Sequence, residues 1–248
     1  MIQDTHSHLD LMEEISLQEV LKKAEEVKLD AIISCATSFN SNQKNLELAQ
    51  KYPLIKPAIG LYPLNIIELN EEEINRAFSF FEKEIENSIA IGEVGLDFKF
   101  SIKEEEQEKQ KNVLTRFIQM SKKYNKPLIV HSRFAQRQAL ELLIEQRAVK
   151  VQLHSFTDSE KLMKKAINSG YYISCGMNVL YNADVQKNIT SFPLENLLLE
   201  TDSPIIFNNE KATPLNIRII LEKISELKKT PVSIIEEQLN KNFHSLYG

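Results

Sequence analysis

The sequence is poor in residues on which several common protein classes depend. Its 248 residues include six glycines, two cysteines and no tryptophan. No glycine-rich phosphate loop follows any strand-like segment, which argues against an open doubly wound sheet that binds nucleotides on such a loop. Cys35 and Cys175 lie in apolar runs, so we interpret them as small buried hydrophobic residues rather than a disulfide. A reducing compartment, by default the cytoplasm, is therefore expected.

Long apolar runs and a positive net charge are also absent. No segment approaches the roughly 18 apolar residues of a membrane span. The amino-terminal residues lack a basic stretch followed by a hydrophobic one, so neither a signal peptide nor a membrane protein is expected. The formal net charge of −5 argues against a protein that coats nucleic acid with a broad basic surface. It is compatible with an enzyme that holds a few phosphates, because bound divalent metal ions reverse the local charge.

Short apolar segments of strand length alternate with amphipathic helical segments along the chain. The predicted strands are Met1–Asp4, Asp30–Ala36, Leu54–Gly60, Ile89–Glu93, Pro127–His131, Val149–His154, Tyr171–Cys175 and Asn196–Thr201. The first predicted helix has Ser16 as its N-cap, with Glu19 completing a capping box. The last has Pro231 at its first helical position. This order predicts an α/β fold, a single TIM (β/α)₈ barrel domain over residues 1–248 with an additional C-terminal helix.

Six side chains suited to metal binding fall at, or just after, the carboxyl ends of predicted strands. The histidines are His6, His8, His131 and His154, and the carboxylates are Glu93 and Asp202. Each alone has an ordinary explanation, as hydrogen-bonded scaffold or as a turn residue. In a barrel, however, these strand ends form the active-site face. Imidazole and carboxylate are also the ligands of hydrolytic divalent metals, so the set predicts a metal centre.

Five segments, taken in order, resemble the TatD family of metal-dependent hydrolases, which are amidohydrolase-like barrel enzymes. The segments are Asp4–Asp10 (DTHSHLD), Gly92–Asp97 (GEVGLD), Pro127–Arg133 (PLIVHSR), His154–Thr157 (HSFT) and Glu200–Pro204 (ETDSP). The resemblance implies that the six residues above are metal ligands and that Glu93 bridges two ions. One departure follows the third strand, where the family usually has Gly-x-His-Pro and this chain has Gly60-Leu61-Tyr62-Pro63. Tyr62 can donate a hydrogen bond to a phosphate oxygen, but it does not readily supply a proton at neutral pH.

By this resemblance the chain is expected to be a metal-dependent deoxyribonuclease that cleaves single-stranded DNA or DNA ends, exonucleolytically. The expected cofactors are two divalent ions, Mg²⁺, Mn²⁺ or Zn²⁺. Asp202 and Glu93 are the expected catalytic residues, with Asp202 orienting the attacking water and accepting its proton. Arg133 and Tyr62 are the expected substrate-binding residues. We expect a monomer without an obligate protein partner.

Several alternatives stay open on the sequence alone. Arg133 could instead start a surface helix and pair with Glu141 or a neighbouring residue, and Phe134 and Phe156 could either stack on a base or pack at the barrel rim. The same metals could hydrolyse an ester, lactone or amide, including mischarged aminoacyl-tRNA, because activated water attacks carbonyl carbon as readily as phosphorus. A non-catalytic binding barrel that retains the ligands for structure is a third reading, favoured only by Tyr62.

Overall fold

The computed structural model describes all 248 residues, and its central feature is a parallel sheet of eight strands wound into a nearly closed barrel. The strands are β1 (Ile2–Ser7), β2 (Leu29–Cys35), β3 (Ile55–Ile59), β4 (Ala90–Asp97), β5 (Leu128–Arg133), β6 (Val151–Leu153), β7 (Tyr172–Cys175) and β8 (Leu197–Leu199). They neighbour one another in sequence order. The predicted TIM barrel is confirmed, because a doubly wound sheet would reverse its strand order at a switch point.

Helices connect the strands and pack on the outer face of the barrel. They are α1 (Glu14–Lys23), α2 (Phe39–Lys51), α3 (Pro63–Ile67), α4 (Glu71–Glu84), α5 (Glu104–Tyr124), α6 (Gln136–Glu145), α7 (Glu160–Asn168), α8 (Asn178–Tyr181), α9 (Ala183–Ser191), α10 (Ile217–Lys228) and α11 (Val232–Tyr247). Their apolar faces and the strands share one large core cluster of 55 buried residues, which makes helix-on-sheet packing the main source of stability. None of the helices combines the length and the apolar character needed to cross a membrane.

The last helix closes one end of the barrel. Phe243 and Leu246 of α11 belong to a second apolar cluster together with strand residues such as Ile33. The side chain of Gln3, at the start of β1, donates a hydrogen bond to Asn240 of the same helix (2.9 Å). Helix α11 therefore covers the amino-terminal end of the strands, which leaves their carboxyl ends as the accessible face.

The first and last strands meet without a ladder of paired residues, and side chains join them instead. The Asp4 carboxylate accepts hydrogen bonds from the backbone N–H of Thr201 (2.9 Å) and from its hydroxyl (2.5 Å). The Thr5 hydroxyl donates to the carbonyl of Leu199 (2.8 Å). We call these four residues the β1–β8 seam. All four are buried, so the seam holds the barrel together where backbone pairing stops.

Two predicted helix starts are wrong by a few residues. Ser16 is not an N-cap, because α1 begins at Glu14 and the first turn is already closed by the N–H of Leu17 bonding to the carbonyl of Glu13 (3.0 Å). Pro231 is the N-cap of α11 rather than its first helical residue. Both errors leave the buried faces unchanged, because the apolar spacing and not the cap fixes which side of a helix packs.

Strand β4 extends to Asp97, beyond its predicted end at Glu93. A glycine interrupts the apolar pattern there, which made the strand look shorter than it is. Gly95 (φ 147°) pairs with His131 of β5, and a Cβ at this position would lie 2.0 Å from the His131 carbonyl oxygen. Glu93 is consequently held in the middle of a strand rather than at a mobile end, and its side chain is buried.

Replacing Gly95 with alanine is expected to lower the free energy of unfolding by more than about 3 kcal/mol, because the His131 backbone must move to make room. Gly170 is a matched control, since it also has a positive φ (77°) but nothing lies within 4 Å of an added Cβ. Gly170→Ala should cost only the backbone strain, about 1–2 kcal/mol. Urea denaturation of both variants measures the difference, and equal losses would contradict the close β4–β5 approach.

A β-hairpin that the sequence did not predict follows β8. Its strands are β9 (Ile206–Phe207) and β10 (Glu210–Lys211), which pair antiparallel. The two turn residues, Asn208 and Asn209, both have positive φ (48° and 66°), as a tight type I′ turn requires. Strands of two residues carry no detectable hydrophobic alternation, which explains why the hairpin was missed. The short helices α3 and α8 were missed for the same reason, and the longer α9 was not predicted either.

Candidate metal centre

All six predicted metal-binding side chains converge at the carboxyl end of the barrel. They are His6 in β1, His8 directly after it, Glu93 in β4, His131 in β5, His154 after β6 and Asp202 after β8. Five different strands therefore supply one cluster, which lies at the face where barrel enzymes bind substrate. The cluster is shielded from water, since even its most accessible member, Asp202, has a side chain only 19% exposed.

Two imidazole nitrogens and two carboxylate oxygens lie close together on the β1 side of the cluster. The Nε2 atoms of His6 and His8 lie 3.3 Å apart. Glu93 Oε2 lies 3.8 and 3.5 Å from them, and Asp202 Oδ1 lies 3.5 and 3.4 Å from them. A cation bound tetrahedrally at 2.0–2.2 Å from each ligand would separate the ligand atoms by about 3.4 Å. The observed spacing therefore matches the edges of a coordination polyhedron.

The other oxygen of Glu93 faces a second pair of imidazoles. Glu93 Oε1 lies 2.8 Å from His131 Nδ1 and 3.9 Å from His154 Nε2. Asp202 also turns its second oxygen, Oδ2, toward His154 Nε2 at 3.9 Å. Each carboxylate thus has one oxygen on either side, which is the geometry of a group shared between two neighbouring cations.

In three of the histidines, the ring nitrogen that points away from the cluster is hydrogen-bonded. The other ring nitrogen of each then faces the cluster with its lone pair. The pairs are His8 Nδ1 with the Cys35 carbonyl (2.9 Å), His154 Nδ1 with Glu200 Oε2 (2.8 Å) and His131 Nε2 with Asp97 Oδ2 (3.3 Å). Each partner is an oxygen that only accepts, so the bonded nitrogen carries the proton. The opposite nitrogen is then a free donor of electron density, as in metal sites whose outer hydrogen bonds fix the tautomer.

The close contact between His131 Nδ1 and Glu93 Oε1 supports a cation at this place. The two atoms are 2.8 Å apart but are not aligned as a hydrogen bond, and this nitrogen has no other partner although it is buried. Two electron-rich atoms held so close need positive charge between them. The residues present therefore fit a divalent metal ion, and nitrogen and oxygen donors in this mixture suit Zn²⁺, Mn²⁺ or Fe²⁺.

The pKa values in the cluster also support a bound cation. Burial favours the neutral form of Glu93, but the combined influence of His131, His6 and His8 outweighs it and holds the pKa of Glu93 well below its ordinary value. Burial also opposes a charge on His154, but the negative charges of Glu200 and Asp202 raise its pKa to about 10. The buried carboxylates thus demand compensating positive charge, which protons or a divalent cation can supply.

A cavity of about 520 Å³ opens above the cluster. Arg133 lines it and is the one arginine or lysine among the lining residues. Its guanidinium lies 5.5 Å from the ring centre of Phe100, a cation–π contact that steadies the long side chain. The alternative pairing of Arg133 with Glu141 is wrong, since Glu141 instead contacts Lys165 (3.6 Å).

Tyr62 also lines this cavity, beside the cluster. Its hydroxyl donates a hydrogen bond to Asp97 Oδ2 (2.8 Å) and lies 3.4 Å from His131 Nε2. Burial and the hydrogen bond to Asp97 raise the pKa of Tyr62 above its ordinary value, so the hydroxyl stays protonated at neutral pH. This supports the expectation that Tyr62 is a hydrogen-bond donor and not a proton source. Its contact with a substrate stays a prediction.

The two phenylalanines considered for base stacking do not line the cavity. Phe156 is 1% exposed and belongs to the core, so stacking by Phe156 is wrong and rim packing is the better description. Phe134 is exposed but is not among the lining residues. The aromatic residues that do line it are Tyr62 and Phe207, and Phe207 belongs to the unpredicted hairpin.

Sequence reasoning missed Glu200 as a participant in the site. It accepts hydrogen bonds from His154 Nδ1 (2.8 Å) and from the Ser174 hydroxyl (2.5 Å) in a fully buried position. The residue sits in an apolar run, which was interpreted only as a buried strand. The available signal was its place in the chain, because Glu200 directly follows β8 and lies two residues before the predicted ligand Asp202.

Replacing Glu200 with glutamine is expected to lower the affinity for Zn²⁺ or Mn²⁺ by about 10–100-fold, because the uncharged amide no longer fixes the tautomer of His154. Isothermal titration calorimetry measures the affinity, and circular dichroism checks the fold. Glu195→Gln changes an exposed glutamate just before β8 and serves as the control. An unchanged affinity in a folded Glu200→Gln protein would show that Glu200 does not support the metal centre.

Comparison with known proteins identifies the family. The model of the family described as TatD related DNase matches residues 3–248. The chain belongs to the TatD family. Among its relatives, Deoxyribonuclease TATDN3 of Homo sapiens is 31% identical over 256 residues, which cover 98% of this chain and 93% of that protein. YabD of Bacillus subtilis (strain 168), named an uncharacterized metal-dependent hydrolase, is 29% identical over 258 residues, covering 100% and 99%.

A solved TatD structure agrees with the fold as well. YJJV, the TatD homolog from Escherichia coli K12, superposes with a TM-score of 0.89 at 26% identity, covering 99% of this chain and 97% of that one. The resemblance seen in the five motifs is thereby confirmed over the whole barrel. The chain is a TatD-type metal-dependent hydrolase, and its relatives are named as deoxyribonucleases or as metal-dependent hydrolases.

Proposed function

We propose that this TatD protein is a deoxyribonuclease that hydrolyses phosphodiester bonds with two bound divalent cations. The observation that carries the proposal is the position of Glu93, whose two oxygens face two different pairs of imidazoles. The relative named Deoxyribonuclease TATDN3 supports DNA as the substrate. The burial of the cluster at the floor of the cavity supports cleavage at a single-stranded end, which is narrower than a duplex.

The protein's own residues take distinct roles in this proposal. Bound divalent ions would supply water of lowered pKa and neutralise charge on the phosphoryl oxygens. Asp202 orients the attacking water and accepts its proton, since its side chain is 19% exposed and Glu93 only 3%. Arg133 holds a phosphate oxygen through two parallel N–H groups, and the Tyr62 hydroxyl, which donates to Asp97 in the free protein, turns to donate to the phosphate instead.

The position of Asp202 supports its role. Its backbone lies in the left-handed region (φ 54°), which is strained for a residue with a side chain. The N–H of Asp202 donates to the carbonyl of His6 (2.9 Å), and its carbonyl accepts from Ile205 (3.0 Å). These bonds hold the carboxylate over the cluster. We further propose Mg²⁺, Mn²⁺ or Zn²⁺ as the ions, a monomer as the active species and, from the two free buried cysteines, the cytoplasm as the location.

Chelation tests the proposal directly. Purified protein is incubated with a single-stranded oligodeoxynucleotide, with excess chelator, and with chelator followed by each metal. We expect cleavage that chelator stops and at least one of the three metals restores. Cleavage that persists in excess chelator would overturn the metal mechanism. A parallel panel of lactone, aryl ester and aminoacyl ester substrates tests the bond, and turnover of carbonyl substrates alone would overturn the assignment to DNA.

A further inference from the structure

The wall of the cavity has two chemically different sides. Leu11, Ile205 and Phe207 line one side, and they follow β1 and β8, which are neighbours at the seam. Arg133 lines the other side and ends β5, which is half-way around an eight-stranded barrel from the seam. The metal cluster lies at the floor between them. A ligand that fits must therefore be apolar at one end and anionic at the other.

The apolar side of the cavity is accessible to a ligand and is also held in place by packing. Leu11 is 55% exposed and Ile205 43% exposed, so both present apolar surface to the cavity. Phe207 is half-buried and packs partly against the main core, so its ring is held in place. The hairpin that carries it has a tight two-residue turn, which limits its motion.

Strand alternation in the hairpin selects which residues face the cavity. Ile205 and Phe207 line it, whereas Ile206 between them is 68% exposed and is not a lining residue. Successive side chains of an extended segment point to opposite faces, so Ile205 and Phe207 face the cavity and Ile206 does not. Ile206 is therefore a matched control on the same element.

We propose that Phe207, with Leu11 and Ile205, forms the contact surface for the nucleobase next to the bond that is cut. This inference rests on the proposed function, which supplies the nucleotide. A nucleotide joins an apolar flat base to an anionic phosphate, and so matches a cavity with an apolar wall opposite an arginine. The volume of about 520 Å³ lies in the range of pockets for ligands of this size. Stacking on an aromatic ring tolerates every base, so little sequence preference follows.

The test compares an oligodeoxynucleotide with the same strand carrying an abasic residue at the terminal position that is removed. We expect Phe207→Ala to lower kcat/KM on the intact strand about tenfold, the effect of one lost base–aromatic contact. The wild-type protein should lose about as much on the abasic strand, and Phe207→Ala should lose nothing further on it. Ile206→Ala should behave as wild type on both strands.

Further variants separate base contact from folding. Phe207→Trp keeps a stacking surface and should restore kcat/KM. Leu11→Ala shortens a side chain that is 55% exposed and belongs to the same apolar side of the cavity. An intact-strand activity of Phe207→Ala equal to that of Ile206→Ala would overturn the proposal. Equal losses by Phe207→Ala on the intact and abasic strands would overturn it too, because they would indicate a structural role.

A binding experiment keeps this inference distinct from the proposed function. Calorimetry in the presence of Mn²⁺ compares deoxyadenosine monophosphate with 2-deoxyribose 5-phosphate, which lacks the base. We expect the nucleotide to bind about tenfold more tightly, with the difference absent in Phe207→Ala. Equal binding of the two by the wild-type protein would overturn the base contact even if DNA is cut. If the wild-type protein binds deoxyadenosine monophosphate more tightly than 2-deoxyribose 5-phosphate but does not cleave DNA, only the proposed function is overturned.

Discussion

Replacing Glu93 with glutamine is expected to reduce kcat on single-stranded DNA by at least about 10³-fold and to reduce the amount of bound metal. Both oxygens of this carboxylate face imidazole nitrogens that are free to bind a cation. An amide would turn N–H donors toward one of the two pairs and remove the negative charge that a shared position needs. Metal content by inductively coupled plasma mass spectrometry and initial rates of DNA cleavage measure the two effects.

The matched control for this variant is Glu86→Gln, which changes an exposed glutamate just before the same strand. It should retain wild-type rates and metal content. A Glu93→Gln protein that folds and still binds two equivalents of metal would contradict the shared position. A protein that binds less metal but keeps its rate would contradict the need for two ions.

Replacing Asp202 with asparagine is expected to lower kcat by about 10²–10⁴-fold while most of the bound metal is kept. Asparagine has the same size and retains one carbonyl oxygen toward His6 and His8, but it cannot accept a proton from water. KM should change little, because Arg133 and Tyr62 still hold the phosphate. The two variants therefore differ in a measurable way, since Glu93→Gln loses metal and rate together and Asp202→Asn loses mainly rate.

Asp184→Asn, at an exposed position at the start of α9, is the control for Asp202→Asn. Single-turnover cleavage with saturating enzyme isolates the chemical step from product release. A single-turnover rate of Asp202→Asn equal to that of the wild type would show that Asp202 takes no part in the reaction. If Asp202→Asn loses as much bound metal as Glu93→Gln, Asp202 acts only as a metal ligand.

The positions of the metal-binding side chains could be predicted because parallel strands end at the same edge. His131 and His154 each follow a largely apolar run, and apolar runs are the most readable feature of a barrel sequence. Glu93 was predicted at the carboxyl end of its strand, but it lies inside β4 and not at the end. The motif around it identified the residue even though its predicted strand boundary was wrong.

The features that were missed depend on contacts between distant parts of the chain. The carbonyl of Cys35 orients His8, and no side-chain pattern reveals a backbone acceptor. Glu200 was hidden in an apolar run, although its burial makes sense only beside His154. Phe207 lines the cavity because a two-residue strand follows a tight turn, and such a short strand leaves no periodic signal.

The β1–β8 seam has a consequence for how the enzyme matures. The hydrogen bond between Asp4 and Thr201 joins residues 197 positions apart, so it forms only after nearly the whole barrel has been synthesised. His6 and His8 are synthesised before the other seven strands of the barrel, whereas Asp202 follows the last of them. A metal ion that binds this full set ties the two ends of the barrel together and stabilises only the completed molecule. Metal supply in the cell would then set the fraction of newly made chains that stay closed and escape proteolysis.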